Sequence, residues 1–417
     1  MHFSKIRTRF RPVVGALCTL VLVFVFSSCG SDPSTGIDDT GGTKRWTLML
    51  YDDADFLGYD PLRHFCEQTC SSEHLNVVVL QDTLGGPAKL YYVDEGHTPV
   101  VLDDLGEINM GNPETLQHFL QYSKENYPAQ HYVLAFYNHG GGWRGTCWDK
   151  TSNDDNLTMD EVCQALTDAG GVDIILFSAP CLMGAVESVY ELRSCTEFYV
   201  AAEDLSGYCW WVYAMGDISD ALNSGRPVTV EGLTRLVIDS IWEHRKSSCP
   251  GVWEEEVQMA AIRTDGIDRL ADAFDSLSVV YLSDMSRFRY HMQLMLDSVD
   301  VIYYQHVDVY DFATRLRRVA FKPSIRRALD NMKMYSQEAI LAECRGSVKA
   351  KQRGFNVYFP DWYRASYDTL YGSPGLGLDF TEDTHWDELL HAYFESLVPG
   401  NQSIFVPPLS DGFYPSR

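Results

Sequence analysis

Five short stretches, 46–51, 76–80, 131–137, 173–177 and 198–202, are nearly continuous in apolar residues. Runs of that length without polar alternation read as strands buried on both faces, as in a parallel sheet covered by helices. The intervals between them suit crossover connections, with 113–123 and 159–169 as the helix candidates. A sixth run, 256–262, precedes Ile267, Leu270, Ala271, Phe274 and Leu277 at helical spacing, and Leu233, Leu236, Val237 and Ile241 mark another helix before it. The pattern predicts an α/β protein with a doubly wound, mostly parallel sheet and helices on both faces. Beyond about Leu282 the alternation fades. A helix is expected over 326–345, a strand over 354–360, and an extended tail after Leu397, where Pro399, Pro407, Pro408 and Pro415 cluster.

The amino terminus sets the compartment. Lys5, Arg7, Arg9 and Arg11 form a basic leader ahead of an uncharged stretch of about fourteen residues, too short to span a bilayer and suited to a secretory signal. It ends in Phe26, Ser27, Ser28, Cys29 and Gly30, which resembles a bacterial lipobox, with Cys29 as the lipidated residue. A tether rich in Ser, Asp, Gly and Pro follows, with Ile37 its one apolar residue up to Thr43. The expected organisation is a signal peptide at 1–28, a lipidated tether at 29–45, a core at 46–282 and a C-terminal region at 283–417 packed on that core. The expected location is the bacterial cell envelope, as an outer-membrane lipoprotein facing the periplasm or the cell surface, held to the membrane by its N-terminal lipid.

Charge narrows the partners. The chain has 33 basic and 58 acidic residues; without the four leader cations, 29 basic residues remain and the net charge is −29. So acidic a surface argues against nucleic acid and against docking on anionic lipid. Of 11 cysteines, Cys18 lies in the leader and Cys29 is the lipid site. Setting Cys181 aside leaves eight that could pair in an oxidising envelope, with partners not assignable from sequence. Cys66 and Cys70 would share a face if both lay on one helix. No pair of CxxC motifs is present, so no metal site is assigned.

The chemistry gathers at two strand ends. His139 closes the third run and is followed by Gly140, Gly141 and Gly142; Cys181 closes the fourth. In an open α/β sheet, reactive groups sit at the carboxyl ends of strands, so the two should be neighbours. A thiol and an imidazole together are the minimum apparatus for acyl transfer through a thioester. The main-chain N–H groups of Gly140 and Cys181 are placed to hold the developing oxyanion. Pro180 can open a helix, which would put Cys181 in a first turn whose dipole favours thiolate.

These residues resemble the clostripain family of cysteine peptidases, which share the caspase-like fold. The likeness runs from Trp46–Tyr51 through both motifs, then 306–312, 354–360 and Thr384, His385 and Trp386. It implies His139 as general base and acid, Cys181 as nucleophile, a protein or peptide substrate and no required cofactor. The family typically carries an aspartate two residues before the cysteine, where it pairs with a basic side chain before the scissile bond; here that residue is Ala179. Glu203 and Asp204 could supply a carboxylate instead, or Trp210 and Trp211, with Tyr208 and Tyr213, an apolar pocket. Segment 144–156 reads as an exposed polar loop, and the family often matures by self-cleavage there, with Arg144 or Lys150 as sites. Calcium dependence occurs in the family. Yet the sixth and twelfth positions of the loop that starts at Asp149 are Asp154 and Asp160, not the glycine and glutamate of an EF-hand, and Asp52, Asp53 and Asp55 read as solvated. The competing reading is a catalytically weak caspase-like binding lipoprotein whose pocket has been repurposed.

Overall fold

The computed structural model describes residues 43–55, 61–177, 179–246, 254–299, 301–303, 305–360, 367–373 and 375–397. The leader, Cys29, the tether through Gly42 and the tail after Leu397 lie outside the described residues.

Fourteen strands are described: β1 (Lys44–Ala54), β2 (Leu75–Thr83), β3 (Ala88–Val93), β4 (Pro99–Gly106), β5 (Ala129–Tyr137), β6 (Thr146–Asp149), β7 (Asp155–Leu157), β8 (Val172–Phe177), β9 (Thr196–Ala201), β10 (Gln258–Arg263), β11 (Val301–Ile302), β12 (His306–Asp308), β13 (Ile340–Arg345) and β14 (Asn356–Tyr358). Nine form one sheet in the order β13-β10-β9-β8-β5-β1-β2-β3-β4. The five apolar runs are its parallel centre, β9-β8-β5-β1-β2. Both flanks are antiparallel: β10 and β13 on one side, the β3–β4 hairpin on the other.

Alternate residues of each central strand feed two cores. Met49, Tyr51, Val78, Phe136, Ile175 and Phe177 face one; Leu48, Leu50, Val77, Ala135, Ile174 and Leu176 face the other. Helices Pro113–Asn126, Met159–Asp168 and Ile267–Leu282 contribute to the first, and Pro61–Gln68, Tyr208–Asn223 and Val230–His244 to the second. Each buried Val, Leu or Ile stabilises the fold by roughly 1.5–3 kcal/mol, so the sheet is a rigid platform for the loops at its rim. Local signals set the helix starts. Asn112 caps the helix at Pro113 by accepting from the Glu114 N–H, and Thr158 with Glu161 forms a reciprocal capping box.

Two expectations beyond Leu282 need correction. The helix that starts at Pro323 stops at Ala339, and 340–345 is β13, because pairing with β10 outweighs the helical tendency of that stretch. The C-terminal region is therefore woven into the main sheet rather than only packed on it. The predicted strand at 354–360 is present as β14, which pairs with β12 beside the functional loops. The helix carrying Cys66 ends at Gln68, so Cys70 lies off it.

Candidate active site

The carboxyl ends of β5, β8 and β9 converge. Just past β5, Asn138 is buried and shapes the loop that follows. Its Nδ2 donates to the Asp53 carbonyl at 2.8 Å, and its Oδ1 accepts from the N–H groups of His139 and Trp148. Thr146 Oγ1 donates to the His139 carbonyl at 2.9 Å. Burial, with a smaller push from the Lys150 charge, lowers the His139 imidazole to about 4, so it is neutral at physiological pH. Gly140 fits only without a side chain: a Cβ there would stand 2.2 Å from the Cys181 carbonyl oxygen and 2.9 Å from its nitrogen. The two motifs therefore touch through their backbones.

Residues 181–184 form a tight turn with Leu182 at φ 64°, a left-handed conformation that costs a non-glycine residue about 1–2 kcal/mol. The surroundings hold it. Leu182 N–H donates to the Asp204 carbonyl (3.0 Å), Gly184 N–H to that of Ala202 (2.7 Å), and Tyr199 Oη to that of Met183 (2.7 Å). From β14, the Asn356 N–H donates to the Gly184 carbonyl (2.9 Å), while Asn356 Nδ2 donates to the carbonyls of Glu203 (2.7 Å) and Leu182 (3.2 Å).

The expected helix at Pro180 is absent. The helix begins only at Val186, so no helix N-terminus favours a Cys181 thiolate. Burial instead pushes the thiol up to about 11, only partly offset by the Ser206 N–H that donates to its Sγ at 3.3 Å, while the Asp204 charge raises it further. Thiol and imidazole are both neutral at rest.

Ala179 packs in the second core with Tyr137, Trp210 and Trp211, whose indoles are buried. The Trp211 ring lies 5.5 Å from that of Tyr137 and 6.1 Å from that of Phe65, so these tryptophans are core residues first. Glu203 and Asp204 are both committed, contrary to the reading of either as a spare carboxylate. Glu203 accepts from the Gly354 N–H (2.7 Å) and shares a hydrogen bond with the Asp308 carboxyl; burial raises both acids, Asp308 to about 7. Asp204 pairs with the Lys349 ammonium and accepts from Gln352 Nε2 (2.7 Å) and the Leu205 N–H (2.7 Å).

Segment 144–156 is a hairpin, β6–β7, whose tip at 150–155 is largely exposed as expected while its base is not. Thr146, Cys147 and Asp149 are buried and Arg144 is tied to Asp368, while Lys150 stays half exposed. The acidic group is not solvated either: Asp52, Asp53 and Asp55 are buried, and burial with the Asp149 charge raises Asp53 well above the usual carboxylate range. Among the described residues no group of three or more His, Cys, Asp or Glu is placed to hold a metal ion.

Several contributors carried little sequence signal. Asn138 stands beside His139, yet Asn356, Asp308 and Lys349 reach the site from far along the chain. His306 on β12 is fully buried, its imidazole lowered to about 3 chiefly by burial, and its Nε2 lies 3.3 Å from where a Gly142 Cβ would be. It opens the 306–312 segment.

A family model described as Peptidase_C11, clostripain family, matches residues 59–393. The chain belongs to the clostripain family. Clostripain of Hathewaya histolytica is 43% identical over 101 residues, which cover 21% of this chain and 19% of that protein, so the match spans about a fifth of the relative's length. In fold, the chain is similar to a secreted C11 cysteine protease from Bacteroides thetaiotaomicron solved with an irreversible peptide inhibitor. The TM-score is 0.62 at 17% identity, over 82% of this chain and 100% of that one. It is also similar to an inactive zymogen C11 protease from Parabacteroides distasonis, with TM-score 0.59 at 16% identity, over 84% and 98% of the two chains. The α/β class with a mostly parallel sheet holds.

Proposed function

We propose that this clostripain-family chain is an envelope-anchored endopeptidase that cuts peptide bonds through a thioester on Cys181. The reading rests above all on the contact of Gly140 with the Cys181 backbone, which sets the histidine loop against the nucleophile turn. As Cys181 Sγ attacks the scissile carbonyl carbon, its proton passes to the neutral His139 imidazole. The N–H groups of Gly140 and Cys181 receive the oxyanion. His139 then protonates the departing amine, and in the second half it takes a proton from the water that hydrolyses the thioester. Anchoring through Cys29 follows from the lipobox-like sequence and the tether.

Specificity follows from two residues. Ala179 offers no charge, and Asp204 already holds Lys349, so neither is available to a substrate guanidinium. Small or apolar side chains before the scissile bond are expected to equal or outrun Arg and Lys. Ala179→Asp should shift preference toward basic residues by up to about a hundredfold, the scale of a desolvated charge pair. One peptide library profiled on both proteins decides this, and a wild-type profile dominated by arginine would overturn it.

The chemical assignment is tested by Cys181→Ala and His139→Ala, each of which should abolish turnover while thermal unfolding stays close to wild type. Wild-type turnover in Cys181→Ala would refute it. A fatty-acid analogue should label the wild type and not Cys29→Ala; an unlabelled wild type would end the anchoring claim.

A further inference from the structure

At the opposite ends of the strands from His139 and Cys181, two sulfurs meet. Cys163 projects from the helix Met159–Asp168, and Cys195 sits in the turn before β9. Their Sγ atoms are 3.0 Å apart, although the residues are 32 positions apart in sequence. Both backbones are fixed. The Cys195 N–H donates to the Leu192 carbonyl (3.0 Å), and its own carbonyl accepts from Val172 (3.0 Å) at the start of β8. Val162 and Leu166, flanking Cys163 on its helix, are fully buried in the first core. A disulfide needs its sulfurs about 2.05 Å apart, about 1 Å closer than these stand.

We propose that Cys163 and Cys195 are a cross-linking site, joined to each other when the protein meets a small-molecule disulfide such as glutathione disulfide. The two residues divide the work by exposure and charge. Cys163 is part-exposed and Cys195 is buried, so the incoming disulfide reaches Cys163 first. The Cys163 thiol, held protonated by its hydrogen bond to Cys195 and by burial, loses its proton as it displaces one glutathione thiolate, and it becomes a mixed disulfide. Cys195 then attacks Cys163 Sγ, the protein S–S bond forms, and the second glutathione leaves as thiolate. Two protein thiols are oxidised, one glutathione disulfide is reduced, and the two cysteine protons end on the two glutathione thiols.

The surroundings favour Cys195 as the attacking sulfur. The hydrogen bond with Cys163 chiefly lowers it to about 6 against the opposing effect of burial, helped by Thr167 Oγ1 and Ser194 Oγ at 3.5 and 3.6 Å from its Sγ. The bridge would close the segment that carries β8 and the Cys181 turn, at the end of the sheet away from the chemistry. It should stiffen the fold without altering turnover.

The test does not depend on catalysis. The full chain is incubated with excess glutathione disulfide, the remaining thiols are alkylated in denaturant, and the unreduced digest is mapped by mass spectrometry. A linked peptide pair containing Cys163 and Cys195 is expected, split by dithiothreitol. The oxidised chain should melt about 5 °C above the reduced one, the shift expected for closing a loop of this length in a chain of this size. Cys163→Ser should remove both the linked pair and the shift. Alkylation of both residues after oxidation, or linkage of Cys195 to a different cysteine, overturns the proposal. A thermal shift that persists in Cys163→Ser does so too.

Discussion

Asn356→Ala tests how the nucleophile turn is held. The carboxamide donates to the carbonyls of Leu182 and Glu203 from a fully buried position on β14. Truncation leaves two buried carbonyls short of a donor, each costing roughly 1–3 kcal/mol. The Leu182 and Gly184 N–H bonds and the Asn356 N–H bond to Gly184 survive, so the lower half of that range applies, about 3 kcal/mol in all. Leu182 already stores about 1–2 kcal/mol in its left-handed backbone, and that strain relaxes once the clasp opens. A loss of 3 kcal/mol corresponds to about a hundredfold change in an equilibrium, since 1.4 kcal/mol is tenfold. We expect kcat/KM on a peptide substrate to fall about a hundredfold and urea unfolding to lose about 2–4 kcal/mol. Asn356→Asp should be worse, because it turns a carboxylate oxygen toward two carbonyl oxygens. Wild-type kcat/KM in Asn356→Ala, whatever its stability, would show that this clasp does not shape the catalytic turn.

Gly140→Ala should be nearly inactive even if folded, because its methyl group would overlap the Cys181 carbonyl at 2.2 Å; kinetics beside circular dichroism check this, and near-normal turnover would refute the backbone contact. Thermal stability should fall as pH rises. Asp308 and Glu187 are both raised to about 7 by burial, so the folded state keeps protons that the unfolded chain releases near 4. Their contribution is whole below about pH 4 and is lost by about pH 7, so melting at pH 8 should lie several degrees below melting at pH 5; an unchanged or higher value at pH 8 would contradict the assignment. Alkylation of Cys181 should accelerate steadily from pH 6 to pH 10, following a thiol near 11, and a rate flat above pH 5 would indicate a standing ion pair instead.

The parallel centre of the sheet was legible because burial on both faces demands uninterrupted apolar runs, and 76–80 or 173–177 can be little else. The β3–β4 hairpin was not, since β4 is largely exposed and shows no apolar stripe. Residues 340–345 follow a helix without a glycine or proline break, and only the partner strand β10 decides their conformation. His139, Gly140 and Cys181 announced themselves because a strand end is a local feature. Their supports did not: Asn356, Asp308 and Lys349 lie more than a hundred residues from Cys181, and one sequence carries no trace of that proximity. The Cys181 environment was misread for a related reason. Pro180 is a helix-opening signal by local rules, but bonds to Ala202, Asp204 and Asn356 impose a turn that those rules cannot anticipate.

The clasp at Asn356 also sets a timetable. During synthesis the ribosome delivers His139 and Cys181 long before β14, and folding proceeds broadly from the amino terminus. While translation is still short of Asn356, the carbonyls of Leu182 and Glu203 both lack their carboxamide donor. The nascent polypeptide thus carries Cys181 in an unfinished setting until Asn356 has been made. In a chain built this way the Cys181 turn is complete only when nearly the whole fold has been delivered.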